Sequence, residues 1–277
     1  MDPLGWLAAL LGAVTLLDLQ RRIRRGPASV SQWLRVGSAL VGCCGMWWST
    51  SSPFAIAAMA SLPRHMIVHV VLMFLVPMAL VYGGVTRRWW FLVPVAPRRR
   101  ILRLVSRYQR LARRNTILWA SLAAVFMNFV MVAAHLPIIF NRVMMSDNLR
   151  GWLLEPMFLL SGYLFFSFLV TSPPRKVRVK IRIQIIMVLV TMAEMLILAM
   201  SMSIFTKTSW YTLPMSGMTD MGSVMPFHDQ QSGAAILWIC GDVWAVPLLV
   251  VIVRRIVERE GSLLTALDAF GQRRSRN

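Results

Sequence analysis

The chain has 277 residues, of which 57% are hydrophobic and only 15% charged, and its mean hydropathy is +0.61. A soluble domain of this length has no use for so much apolar surface, so the composition implies a polytopic membrane protein. The net charge of +19 does not imply nucleic acid as a partner, because the basic residues stand in blocks between apolar runs, the pattern of cytoplasmic loops.

A spanning helix needs about 20 mostly apolar residues, and the chain offers seven such stretches. The first, 4–19, is short, with Asp18 at its end and Arg21, Arg22, Arg24 and Arg25 beyond it. Asp2 and the lack of a basic leader make it a span rather than a cleaved signal. The second, 32–50, closes on Trp47 and Trp48, residues suited to a membrane interface. The third, 63–85, carries His65 and His69 four residues apart, on one helical face, and Pro77 inside it. Residues 86–115 hold ten arginines and no acid; their apolar positions, Ile101, Leu102, Leu104, Val105, Tyr108 and Leu111, fall largely on one face. That segment is expected to lie as an amphipathic helix on anionic inner-leaflet lipid.

The fourth span, 116–136, ends in AAHLP with His135, and a short loop leads to the fifth, 152–171, with Glu155 near its start. The sixth, 183–205, carries Glu194 near its middle. A long loop, 206–231, contains Met215, Met218, Met221 and Met225 ahead of His228. The seventh, 232–253, carries Asp242 at mid-depth and is followed by the basic tail 254–277. Cys43, Cys44 and Cys240 have no CxxC spacing and are expected as small buried residues, the adjacent pair on different faces.

The loops after spans one, three and five, together with the tail, hold all but five of the 30 Lys and Arg; the exceptions are Arg35, Arg64, Arg142, Arg150 and Lys207. The expected fold is therefore all-α with seven transmembrane helices, the N-terminus outside and the C-terminus inside. Residues 1–253 form one domain.

This orientation puts all four histidines and Glu155 on the outer side. Paired imidazoles at a membrane edge are a metal site, a haem site or a hydrogen-bonded structural pair. Thioethers are soft ligands that select Cu(I), and imidazole also suits copper, so His65, His69, His135, His228 and the four loop methionines are candidate Cu(I) ligands. Zinc hydrolysis is disfavoured because HMIVH has no glutamate between its histidines. The methionines inside span six, Met187, Met192, Met195 and Met200, read as core filling. Glu155 is a candidate to orient an imidazole, while Glu194 and Asp242 could mark an ion path. No nucleophile motif or phosphate-binding loop appears, so no enzyme is expected.

Several of these motifs occur together. HMIVH with Pro77 and Gly83-Gly84, the AAHLP end of span four, Leu154-Glu155, and DQQSGAAILW (Asp229, Gln230, Gln231, Gly233, Trp238) together resemble the CtaG-type assembly factors of caa3-type cytochrome c oxidases, over about residues 50–255. The resemblance implies a multi-pass protein of the bacterial inner (plasma) membrane that supplies copper to the oxidase, with oxidase subunits as partners. It also implies histidines after the fifth-span glutamate and within span six. Here those positions read Glu155-Pro156 and Met192-Ala193-Glu194, so the methionine loop would compensate. A copper or solute transporter, a haem-binding electron carrier and a scaffold with structural histidines are the competing readings.

Overall fold

The computed structural model describes residues 3–24, 26, 29–88, 99, 103, 106–107, 110, 114–170, 179–212 and 226–260. Among them there is no β-strand, and seven long helices make the fold: α1 (Pro3–Ile23), α2 (Val30–Ser51), α3 (Leu62–Gly83), α4 (Thr116–His135), α5 (Asp147–Leu169), α6 (Ile181–Ser203) and α7 (Phe227–Glu260). Six of these are long and apolar enough to cross a membrane. The exception is α2, which has the length, 22 residues, but carries Gln32, Arg35, Ser38, Ser49, Thr50 and Ser51. Its hydroxyls are satisfied against backbone: Ser38 donates to Ala79 O at 2.9 Å and Thr50 to Met46 O at 2.9 Å.

The short first span is corrected to a full 21-residue helix. Leu4, Ala8, Leu11, Thr15 and Asp18 are its buried stripe, a three-four spacing that faces one neighbour. The helix continues past Asp18 because that carboxylate is doubly paired. Its Oδ2 accepts from Arg22 Nε at 2.8 Å and from Arg88 Nη1 at 2.8 Å. Arg88 also donates to Gly83 O at 3.3 Å. Burial pulls the Arg88 guanidinium below its ordinary value, and the Asp18 carboxylate opposes that pull. Gly84, left-handed at φ +67°, ends α3 and turns the chain so that Arg88 reaches α1.

Helix α3 is the centre of the bundle: 67% of its apolar window is buried, against 33–39% for the other five apolar spans. It packs on α2, α5 and α7, while α4 and α6 lie beyond α5 and α7 and α1 lies against α2. Pro77 shapes it. A proline has no N–H to give the carbonyl four residues earlier, here Met73. The turn Val71–Leu75 just before it widens to a π-helix, with Val76 N–H bonded to Val71 O. The Met73 carbonyl faces Gly162 of α5, where a Cβ would stand 2.0 Å from that oxygen.

The loop expected between spans four and five is largely helical, Pro137–Met144 and then the first turn of α5. Cys43 is buried but Cys44 is exposed, correcting the expectation for the latter while keeping the two on different faces. Met187 and Met195 are core residues. In the basic segment, Arg99, Arg103, Ser106, Arg107, Arg110 and Arg114 are helical and exposed; Ile101, Leu102, Leu104, Val105, Tyr108 and Leu111 lie outside the described residues.

Candidate functional site

The central helix carries the histidines into the bundle. The start of α3 is fixed by Asp229 of α7, whose Oδ2 accepts from Leu62 N–H at 3.0 Å. One turn further in, His65 and His69 are 5% and 6% exposed, with ring centroids 3.9 Å apart. His135, at the last residue of α4, is also buried, and its ring lies 5.7 Å from that of His69. Three of the four histidines therefore meet, from two helices joined only through tertiary packing. Aromatic walls hold them: Phe140 at 5.2 Å from His65, Phe158 at 4.4 Å from His69, and Tyr211 at 4.3 Å from Phe140. The Tyr211 hydroxyl donates to His135 O at 2.9 Å, and burial pushes that phenol up from its ordinary value.

The polar atoms of the cluster are only partly satisfied. His135 Nδ1 lies 2.6 Å from Met131 O and its Nε2 lies 3.3 Å from Met66 Sδ. A neutral imidazole has one N–H, and the carbonyl requires it on Nδ1. The Nε2 lone pair then faces a thioether with no hydrogen between them. His65 Nε2 and His69 Nδ1 are buried without a hydrogen-bond partner, which is costly unless something else engages those nitrogens. Beside them is a cavity of about 60 Å³ lined by Ser49, Thr50, Met59, His65, His69 and Glu155, among others. Arg150 closes one side: it pairs with Asp147 at 3.0 Å and Glu155 at 3.5 Å, and donates to Met59 Sδ.

The remaining candidates lie apart. His228 is exposed at the start of α7, and Asp242 is exposed midway along it. Both Glu194 carboxyl oxygens are buried on α6 without a hydrogen-bond partner; Glu194 and Asp242 form no hydrogen bond with one another. Met215, Met218, Met221 and Met225 lie outside the described residues. Among the described residues no group of three or more His, Cys, Asp or Glu side chains is arranged to hold a metal ion. Sequence reasoning missed Met66, Met59 and Arg150. Met66 stands inside HMIVH itself, but its sulfur turns from its own helix toward α4, a contact 69 residues away in the chain that no local pattern encodes.

A bundle of apolar helices around a buried histidine cluster defines a multi-pass membrane protein with a polar site in its interior. Over residues 14–259 the chain matches the cytochrome c oxidase caa3 assembly factor family (Caa3_CtaG), and it belongs to that family. Its family partner is accordingly the oxidase. Neither the curated proteins nor the solved structures give a match.

Proposed function

We propose that the chain carries Cu(I) as cargo on the His65, His69, His135 and Met66 cluster and passes it to the haem–copper oxidase whose assembly it serves. The observation that carries this reading is a cluster of three buried imidazoles in which His65 Nε2 and His69 Nδ1 have no hydrogen-bond partner and His135 Nε2 faces Met66 Sδ. Imidazole and thioether together suit Cu(I). An incomplete ligand set also suits a carrier, because an ion held by a closed cage does not leave.

In this reading seven helices span the bacterial plasma membrane with the N-terminus outside, α2 being sheltered by α1 and α3. The histidines then lie near the outer surface, the side of the 206–231 methionine loop and His228, which would receive the ion first. Glu155 and Arg150 flank the cavity as charges of opposite sign. The basic segment 86–115 rests on anionic lipid of the inner leaflet. The role is non-catalytic.

Metal analysis of the protein purified under reducing conditions tests the binding: copper is expected in the wild type and absent from His69→Ala. Deleting the gene tests the role, since oxidase activity should fall in copper-limited medium and return with added copper. Copper-free wild-type protein, or normal oxidase in the deletion strain under copper limitation, would sink the proposal.

One observation favours a second reading, cation passage through the bundle: the buried, unpartnered Glu194 carboxyl. Uptake of copper into vesicles that Glu194→Gln abolishes would support it over carriage.

A further inference from the structure

Asp242 is the sixteenth of the 34 residues of α7, about 22 Å from the helix start at 1.5 Å per residue. The apolar stretch continues for eleven residues before Arg254. If α7 spans the bilayer, this carboxyl stands near its middle, where ionisable groups face a protein interior or a water-filled cavity. Here it does neither. Asp242 is exposed, makes no hydrogen bond or ion pair among the described residues, and sits in a stripe with Ile239 (62% exposed), Val243 (57%), Val246 (49%) and Val250 (61%). A carboxyl without a donor partner, surrounded by apolar side chains, makes a surface that lipid serves poorly and a donor-bearing helix serves well.

We propose that this stripe is the docking face for a transmembrane helix of another protein carrying a lysine or arginine at mid-depth. A second copy of the chain does not meet the requirement. In the same membrane it has the same orientation, so pairing along α7 sets Asp242 level with Asp242. Every described Lys and Arg on the seven helices lies within about six residues of a helix end, away from the depth where the charge is needed. A foreign basic side chain neutralises the carboxylate at that depth. The inference rests on α7 crossing the membrane and is independent of copper.

The experiment uses the full chain in its native membranes with a photoreactive phenylalanine analogue in place of Ile239 or, for comparison, of Val125 on α4, which is 64% exposed. Irradiation is expected to give an adduct from position 239 and none from 125. The attached peptide should come from a different membrane protein and contain Lys or Arg inside an apolar span. Asp242→Leu and the isosteric Asp242→Asn should each lower the yield at least about tenfold, as loss of one partner of a desolvated charge pair does. Retention of the yield by Asp242→Asn, an adduct to a second copy, equal labelling from 125, or no adduct would each overturn the proposal. Tags in the 206–231 loop and at the C-terminus report separately whether α7 spans; tags found on one side would overturn the premise.

Discussion

Replacing Gly162 by alanine adds one methyl group where, among the described glycines, the backbone of a neighbouring helix comes nearest. The new Cβ would stand 2.0 Å from Met73 O, 2.8 Å from Pro77 Cγ and 3.0 Å from Met73 C. None of these can rotate away, because two are backbone and the third belongs to a proline ring. Carbon and oxygen in contact need roughly 3.2 Å, so α5 must move from α3 by about 1 Å, and overpacking of this kind costs about 1–3 kcal/mol or more. That shift carries Phe158 away from His69, 4.4 Å apart at their ring centroids, and Phe166 away from Phe74, 6.4 Å apart. At about 2–4 °C per kcal/mol for a chain of this order of size, the midpoint of thermal unfolding in detergent should fall by about 2–12 °C. Gly37→Ala is the control: a Cβ there meets nothing within 4 Å, and helix propensity favours alanine by about 1 kcal/mol. An unchanged midpoint in Gly162→Ala, or an equal loss in Gly37→Ala, would refute the packing argument.

Asp18→Ala leaves Arg88 buried without its counter-charge and should cost about 3–5 kcal/mol, while the double variant Asp18→Leu/Arg88→Leu should recover most of that loss; both are read by denaturation in detergent. Met66→Leu keeps the core volume but removes the sulfur from His135, so the fold should hold while Cu(I) affinity, measured by competition with a chelator, drops about 10–100-fold. Tyr211→Phe loses the bond to His135 O at 2.9 Å and should cost about 1 kcal/mol. Because burial raises the Tyr211 phenol in the folded state, the unfolded phenol ionises first. The wild type should therefore lose stability above about pH 10, and Tyr211→Phe should lose less over that range.

The helices were legible because membrane hydropathy is a local signal, and the starts of α4 and α6 fall within two residues of expectation. Charge misled at both ends of the chain. Asp18 reads as a stop, yet two arginines make it interior, and one of them is 70 residues away. Asp229 and Gln230 read as loop but belong to α7, because Asp229 caps α3 and Gln230 donates to Met202 O at 2.7 Å. In α2 the reverse holds, since hydroxyls that lower its hydropathy are absorbed by helix carbonyls. The histidine pair was visible from its spacing, and His135 from its position at a span end. The thioether between them, the Arg150–Glu155 pair and the Met73–Gly162 contact were not, because each joins segments that only packing brings together.

The bond between Asp18 and Arg88 also sets a clock. The two residues are separated by 70 positions, and at about 5–20 residues per second of synthesis some 4–14 s pass before the second guanidinium emerges. During that interval Asp18 has only Arg22, one turn along its own helix, for company. Helix α1 thus enters the membrane with a provisional partner and is latched only when the third helix has been completed, the turn at Gly84 made and Arg88 delivered beneath it. A chain stalled before residue 88 would hold α1 and α2 without this tie, so the ion pair makes the anchoring of the first helix depend on completion of the third.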